Sequence, residues 1–208
     1  MVLSFCENHH LILERDRMNL VEKLKSYVPF NEQEEKDKVF ILQCLEQQDN
    51  IFTRDNKMVH MTASAWIVNQ DRTKVLMAYH KIYDSWAWLG GHADGEEELL
   101  KVALKEAKEE SGVESVKPIE ENIFSLEVLT VNGHMKKGEY VSSHLHLNLT
   151  YLLEADETET LMMKEDENSA VGWFSLEEAL KASTEEWFVR NIYRKLNEKL
   201  KLIPKEGK

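Results

Sequence analysis

The sequence has little cysteine and fewer basic than acidic side chains, and both shortages exclude classes of protein. Its two cysteines, Cys6 and Cys44, are too few for a disulfide framework, and their spacing is not that of a metal site. A reducing compartment fits this usage, and we expect a cytoplasmic protein. The formal net charge of -12 works against non-specific nucleic-acid binding and against an anionic membrane surface. An anionic substrate would therefore need local help, such as a bound cation.

Long apolar runs are lacking too. No window approaches the roughly 18 apolar residues of a transmembrane helix. The first residues, MVLSFCENHHLILERD, contain neither a basic stretch nor a long apolar run, so we expect no signal peptide. We find no internal repeat and no long linker. The 208 residues suffice for one sizeable core.

The spacing of apolar residues changes along the chain. Residues 1–52 read as an N-terminal helical extension, with Asn31 and Glu34 placed as a capping box. Residues 53–208 are expected to form the main domain. There, MVHMTASAWIVN and KVLMAYH predict a hairpin, and two later strand-like runs follow, IFSLEVLTV and EYVSSHLHLNLTYLLEA. This order predicts an α/β (α+β) fold, with helices layered on a mixed sheet.

Two more helices are expected near the C-terminus. Ser175 and Glu178 fit a capping box for a short helix that follows a strand ending at Trp173-Phe174. Residues 185–201 predict an amphipathic helix. Its buried side is expected to consist of Trp187, Phe188, Ile192, Leu196 and Leu200.

The stretch GGHADGEEELLKVALKEAKEESGV, residues 90–113, predicts a glycine-rich turn followed by an acidic helix. The helix should begin at Asp94 or Gly95 and end at Gly112, a C′ glycine. A helical wheel of roughly 100° per residue separates three faces. These are a core face of Leu100, Ala103, Leu104 and Ala107, a solvent face of Lys101, Lys105 and Lys108, and a rim of Glu106, Glu109 and Glu110.

The three rim carboxylates have two interpretations. They could be a solvated acidic stripe, although like charges at this spacing cost a few tenths of a kcal/mol per pair. They could instead bind a divalent cation, because Mg²⁺ prefers carboxylates, water and substrate phosphates as ligands. A bound cation would cancel the repulsion and supply the positive field that the chain lacks.

The whole pattern resembles the signature of the Nudix hydrolases, Gly-x5-Glu-x7-Arg-Glu-U-x-Glu-Glu-x-Gly-U, where U is apolar. Gly91 is followed after five residues by Glu97, and the later positions are occupied by Lys105, Glu106, Ala107, Glu109, Glu110, Gly112 and Val113. Only Lys105 departs, since it replaces the arginine. The resemblance covers about residues 55 to 185 and does not account for the N-terminal extension.

The resemblance implies a Nudix-type α/β/α sandwich with a mixed sheet. It implies hydrolysis of the pyrophosphate bond of a nucleoside diphosphate linked to another moiety, or of a nucleoside triphosphate. Glu106, Glu109 and Glu110, with the carbonyl of Gly90, are the implied ligands of Mg²⁺, with Mn²⁺ as the alternative ion. Such an ion lowers the pKa of a bound water, and the resulting hydroxide attacks phosphorus.

In this scheme a glutamate takes the proton from the water. This glutamate belongs either to the signature Gly91 to Val113, which is the Nudix box, or to a segment outside the box. Outside the box, the first candidate is the acidic run Glu165-Asp166-Glu167, in which Glu167 is also a candidate substrate-binding residue. The alternative is that this run is a solvated loop. Glu97 pairs with the basic box residue in the family, and the alternative is an N3 capping role under Asp94. Lys105 keeps the charge but loses the guanidinium fork, a change that can cost about 10- to 100-fold in metal affinity or activity. We predict that activity survives.

Several residues near the box have competing roles. His92 could contact a substrate phosphate or form a structural hydrogen bond in its loop. Trp88 could stack on a base, as could Trp86, Tyr83 and Trp173, or each could be core. His144 and His146 face one side of a predicted strand. No third ligand near them can be identified from the sequence, so zinc is disfavoured and pocket lining is the alternative.

Two other functions remain open at this point. One is a non-catalytic nucleotide-sensing Nudix domain. The other is an isopentenyl-diphosphate isomerase, which shares the fold, but both cysteines lie outside the Nudix-like segment. The expected partner is a small nucleotide or nucleoside diphosphate derivative, and analogy with relatives suggests a homodimer. No motif identifies the substrate.

Overall fold

The computed structural model describes residues 17–82, 84–136, 138–164 and 168–205. The helices are residues 17–26 (α1), Glu32–Gln47 (α2), Leu99–Ser111 (α3), Leu176–Ala182 (α4), Glu186–Phe188 (α5) and Arg194–Leu202 (α6), with a π-helical segment, Val189–Tyr193, between the last two. The strands are Val59–Asn69 (β1), Lys74–His80 (β2), Ser85–Ala87 (β3), Leu89–His92 (β4), Lys117–Pro118 (β5), Ser125–Val131 (β6), His134–Lys136 (β7), Glu139–Val141 (β8), His144–Ala155 (β9) and Asn168–Ser175 (β10).

An eight-stranded sheet has the strand order β10-β2-β1-β9-β5, with β3 on β2, β4 on β1 and β6 on β9. Strands β7 and β8 form a separate two-stranded sheet. The predicted fold class, α+β with a mixed sheet, is confirmed. Within the described residues, no helix is both long and apolar enough to cross a bilayer.

The chain divides into two compact units. The first comprises the described residues within Met1–Ala63, Gly91–Val102 and Asn122–Thr150, and the second comprises those within Ser64–Gly90, Ala103–Glu121 and Tyr151–Lys208.

In the first unit, α2 packs on β6, and β6 pairs antiparallel with the start of β9. Asn31 caps α2, because its side chain accepts a hydrogen bond from the Glu34 N–H at 3.0 Å. The Glu34 carboxylate accepts from the Phe30 N–H at 2.8 Å, so the predicted capping box is only half formed. Glu34 is buried and also accepts from the hydroxyls of Tyr27 at 2.6 Å and Ser125 at 2.8 Å.

In the second unit, the predicted hairpin of β1 and β2 is present, with Val68 opposite Val75. The Asn69 side chain closes its turn by accepting hydrogen bonds from the N–H groups of Thr73 and Lys74, each at 2.9 Å. Strand β2 also pairs antiparallel with β3 and β10. The capping box of Ser175 and Glu178 at the start of α4 is confirmed.

The C-terminal helix differs from the prediction on one face. Ile192, Leu196 and Leu200 are buried as expected, but Trp187 is 52% exposed. Trp187 precedes Ile192 by five residues, and on an α-helix of roughly 100° per residue this spacing places the two side chains about 140° apart. Between them the chain is π-helical, and the Arg194 N–H bonds to the Val189 carbonyl five residues earlier.

Candidate functional site

The acidic helix α3 begins later than predicted, at Leu99. Asp94 and Gly95 have positive φ angles of 47° and 96°, which a right-handed helix does not accommodate. The Asp94 carboxylate accepts two hydrogen bonds from the Arg54 guanidinium, each at 2.7 Å. Both predicted helix starts are therefore wrong. The N3 capping role of Glu97 is wrong as well, because Glu97 precedes the helix, where it is half-buried.

The predicted end of α3 is confirmed. Gly112 has φ of 72° and its N–H bonds to the Lys108 carbonyl at 2.8 Å, as a C′ glycine does. The carbonyl of Ser111 accepts from the Met162 N–H at 2.8 Å, so the segment around Met162 passes directly over the helix end.

The buried face of α3 is rotated relative to the prediction. Its buried residues are Leu99, Val102, Ala103, Glu106, Ala107, Glu110 and Ser111. Leu100 and Leu104 are only half-buried, so their assignment to the core face is wrong. Glu106 is 8% exposed and Glu110 is 4% exposed, whereas Glu109 is exposed. Two of the three box carboxylates therefore lie on the buried face and not at its rim.

The helical wheel placed Lys105 on a face separate from these carboxylates, but in the structure its ammonium contacts two of them. Its Nζ lies 3.2 Å from Glu106 Oε1 and 3.3 Å from Glu109 Oε1. Burial lowers the pKa of the ammonium, but the charge of Glu106 and hydrogen bonds to both glutamates outweigh it and raise the pKa overall. Lys164 adds a second cation, 3.5 Å from Glu109 Oε2.

Gly90, the predicted backbone ligand, lies beside Glu110. The Gly90 N–H donates a hydrogen bond to Glu110 Oε2 at 3.2 Å. The structure thus brings together Gly90, Lys105 and all three box glutamates in the second unit. Glu167, with the rest of the acidic run at 165–167, lies outside the described residues.

Trp88 packs against the C-terminal helix. The backbone N–H of Trp88 donates a hydrogen bond to Tyr193 Oη at 3.4 Å. The Trp88 ring lies edge-on to the Tyr193 ring, with 5.8 Å between the ring centroids. Trp86 contacts Phe174 in the same edge-on manner at 4.7 Å. These contacts are those of packed aromatic side chains, and the proposed stacking of Trp88 on a base stays a prediction. Tyr83 lies outside the described residues.

A histidine cluster forms in the first unit, and the sequence did not reveal it. Ligand nitrogens of His60, His92 and His146 all lie within 4.8 Å of one another. His144 joins them, with its Nε2 at 3.2 Å from His146 Nε2. The argument that the strand histidines lack a third ligand is therefore wrong. His92 contacts the rings of His60 and His146, at centroid distances of 5.2 Å and 4.9 Å.

Three histidines of the cluster have pKa values below the ordinary imidazole value. Burial, followed by the charge of Arg54 and the neighbouring His60, lowers the pKa of His92 to about 3. Burial, followed by its histidine neighbours, lowers the pKa of His146 to about 2. The pKa of His60 is lowered mainly by burial.

The family model for the NUDIX domain matches residues 58–196, which is most of the chain. The chain therefore belongs to the Nudix family. As an enzyme it is a Nudix pyrophosphohydrolase. Family members act on small nucleotide derivatives.

Two solved structures are similar to this chain. A binary complex of a C. elegans Ap4A hydrolase has a TM-score of 0.52 at 20% identity, covering 69% of this chain and 98% of that one. A NUDIX-family hydrolase from Clostridium perfringens has a TM-score of 0.48 at 25% identity, covering 70% and 98%. The first likeness shows the fold alone. No curated protein sequence matches the chain.

Proposed function

We propose that the protein is a Mg²⁺-dependent enzyme that hydrolyses the pyrophosphate bond of a nucleoside diphosphate linked to another moiety, or of a nucleoside triphosphate. The observation that carries this proposal is the pair of buried carboxylates, Glu106 and Glu110, one turn apart on α3. Glu109 lies between them in sequence. All three occupy the positions of the family's metal-binding glutamates.

The donor set fits a hard divalent cation. Buried carboxylates are costly unless positive charge compensates them. Lys105 supplies one charge, is 62% exposed, and shares that charge between Glu106 and Glu109. Oxygen ligands from carboxylates are those that Mg²⁺ takes in proteins. Glu106, Glu109, Glu110 and the carbonyl of Gly90 would hold the ion.

A Mg²⁺ ion held by these residues would supply positive charge against the pyrophosphate and would make a nearby water more acidic. The chain's own residues orient this centre. The Gly90 N–H fixes one oxygen of Glu110 by a hydrogen bond at 3.2 Å. Lys105 holds Glu106 and Glu109 on one side of α3. A glutamate of the box, or an acidic residue of the run at 165–167, would accept the proton of the attacking water.

The substrate is proposed only as a class. The net charge of -12 gives a polyphosphate no general attraction, so its binding depends on the cation. The panel for a first screen comprises nucleoside triphosphates, ADP-ribose, NADH, coenzyme A and dinucleoside polyphosphates. The last class is included because the C. elegans protein of similar fold is named an Ap4A hydrolase.

The test is turnover of this panel with Mg²⁺ or Mn²⁺, followed by product identification. Glu109→Gln with Glu110→Gln removes two carboxylates at nearly constant shape and should abolish turnover. Glu177→Gln is the matched control, because Glu177 is an exposed glutamate of α4 that pairs only with Lys181 in the described structure. Undiminished activity of the double variant, or turnover that persists in a chelator, would refute the metal assignment. Tight nucleotide binding without any turnover would favour a sensor instead.

A further inference from the structure

We propose that His60, His92 and His146 form a binding site for a single transition-metal ion, which we assign as Zn²⁺. Their ligand nitrogens lie within 4.8 Å of one another. The three side chains come from β1, β4 and β9, so they are held by strands and not by a loose loop. This site does not depend on the box glutamates or on the proposed reaction.

His60 gives the strongest evidence for a metal site. Its Nδ1 lies 3.0 Å from the Asn56 carbonyl oxygen, an acceptor, so Nδ1 bears the proton. Nε2 is then the unprotonated nitrogen. The residue is 4% exposed, and Nε2 is buried with no hydrogen-bond partner. A buried acceptor without a donor is uncommon in folded proteins.

Metal-binding histidines use this same arrangement. One ring nitrogen donates to a carbonyl, which fixes the tautomer, and the other nitrogen faces the metal. A zinc ion would give His60 Nε2 the partner that it lacks. It would also explain why four imidazoles share one small volume, with His60 at centroid distances of 5.2, 4.9 and 4.9 Å from His92, His144 and His146.

His144 supports the site from beside it. Its Nδ1 lies 2.8 Å from the Ser142 carbonyl oxygen, so this nitrogen also donates to the backbone. Its Nε2 is therefore an acceptor, and lies 3.2 Å from His146 Nε2. His144 can orient His146 or complete the ligand set when the ion binds.

The ligand chemistry selects the class of ion. Imidazole nitrogen suits Zn²⁺, Cu²⁺ and Ni²⁺, whereas Mg²⁺ requires oxygen. Three histidines with an open fourth position form a known type of zinc centre. We therefore expect Mg²⁺ not to compete for this site, which separates it from the proposed centre on α3.

The test uses tag-free, full-length protein, because an affinity tag of histidines would bind the same ions. After treatment with a chelator and removal of the chelator, the protein is titrated with Zn²⁺ against a chromophoric competitor, and with Co²⁺ while visible absorption is recorded. We expect one equivalent of tightly bound Zn²⁺, and d–d bands of Co²⁺ in a nitrogen-rich site. An excess of Mg²⁺ should change neither result.

Variants locate the ion. His146→Gln and His92→Gln should each weaken Zn²⁺ binding by more than about 100-fold, the upper range for loss of a group that only orients a ligand. His134→Gln is a matched control, since the His134 ring hydrogen-bonds to the Asn132 carbonyl and lies outside the cluster. The double variant His9→Gln with His10→Gln controls for the adjacent histidines near the start of the sequence, and Glu109→Gln controls for the box. All three controls should bind Zn²⁺ as the wild type does.

Wild-type protein that takes up no Zn²⁺ or Co²⁺ would overturn the proposal without any variant. Equal binding by wild type and His146→Gln would also overturn it. Circular dichroism of each variant separates loss of the site from loss of the fold. Because none of these readouts is turnover, failure here leaves the proposed hydrolysis untouched, and failure to find a substrate leaves the zinc site untouched.

Discussion

Lys105 Nζ lies 3.3 Å from Glu109 Oε1, one turn further along α3. The same ammonium lies 3.2 Å from Glu106 Oε1. The lysine that replaces the family's arginine thus contacts two of the carboxylates proposed to hold the metal. An ammonium is a point charge and cannot grip one carboxylate with two parallel hydrogen bonds, as a guanidinium does. It can still hold both glutamates on one side of the helix.

The first prediction concerns this contact. Lys105→Met keeps the aliphatic stem and removes the charge, so Glu106 and Glu109 lose their shared partner. We expect kcat/KM to fall by about 10- to 100-fold, the range for groups that orient metal ligands. Lys105→Arg should stay within about 10-fold of the wild type. Steady-state kinetics on the best substrate of the screen measures both.

Lys108→Met is the matched control for Lys105. Lys108 is also a lysine of α3, but its Nζ pairs with Glu114, 3.0 Å away, outside the proposed metal ligands. Its loss should leave kcat/KM unchanged. An inactive wild type that Lys105→Arg restores would show that lysine cannot serve at this position.

The second prediction concerns metal and stability. Any ion that binds only the folded protein stabilises it, by about 2.7 kcal/mol when its concentration is 100 times its Kd. Mg²⁺ should therefore raise the urea midpoint of the wild type beyond the effect of NaCl at equal ionic strength. In Glu106→Gln with Glu110→Gln this additional rise should disappear. A Mg²⁺ effect that survives in the double variant would place the ion elsewhere.

The sequence predicted the helix of the box but not its first turn. Its spacing correctly predicted the C′ position of Gly112, because a helix end depends on short-range order. The start was misplaced because Asp94 looks like an N-cap, whereas its carboxylate binds Arg54, forty residues earlier in the chain. A helical wheel also cannot show which face is covered. The rotation that buries Glu106 and Glu110 became visible only in the folded chain.

The histidine cluster was missed for a related reason. His144 and His146 could be placed on one strand face from their spacing alone. His60 and His92 lie far from them in the sequence, and only strand pairing brings these side chains together. The sequence does not show how β1, β4 and β9 pair, and this pairing decides which histidines become neighbours. One local signal was present, since histidine at position 92 directly follows the glycine pair of the box.

The third prediction concerns Gly112. Its φ of 72° is left-handed, which costs an L-residue roughly 1–2 kcal/mol. A Cβ there would also lie 2.8 Å from Met162 Cβ and 3.1 Å from the Met162 nitrogen, and such overpacking adds about 1–3 kcal/mol. Gly112→Ala should therefore lower the free energy of unfolding by about 2–5 kcal/mol.

Gly138→Ala separates the two causes. Gly138 also has a positive φ, 87°, but a Cβ there would meet nothing within 4 Å. Its substitution should cost only the backbone strain. Urea unfolding of both variants gives the comparison, and equal losses would mean that the contact with Met162 relaxes freely.

The fourth prediction concerns Tyr27, whose hydroxyl lies 2.6 Å from Glu34 Oε2. Burial, followed by the charge of Glu34, raises the pKa of this phenol well above its usual range. The folded protein therefore keeps the proton at a pH where the unfolded chain, with an ordinary phenol pKa of about 10, has lost it. The contribution of Tyr27 to stability is fully present below about pH 10 and falls by about 1.4 kcal/mol for each pH unit above it.

The measurement is urea unfolding at pH 9 and pH 11. Tyr27→Phe should be less stable than the wild type at pH 9, because Glu34 loses a hydrogen bond while it stays buried. The variant has no phenol at this position, so its stability should fall less between the two pH values. Other tyrosines titrate in both proteins and cancel in the difference. A parallel loss in the two proteins would mean that Tyr27 ionises normally in the folded state, and that its hydroxyl is not held against Glu34 as the structure has it.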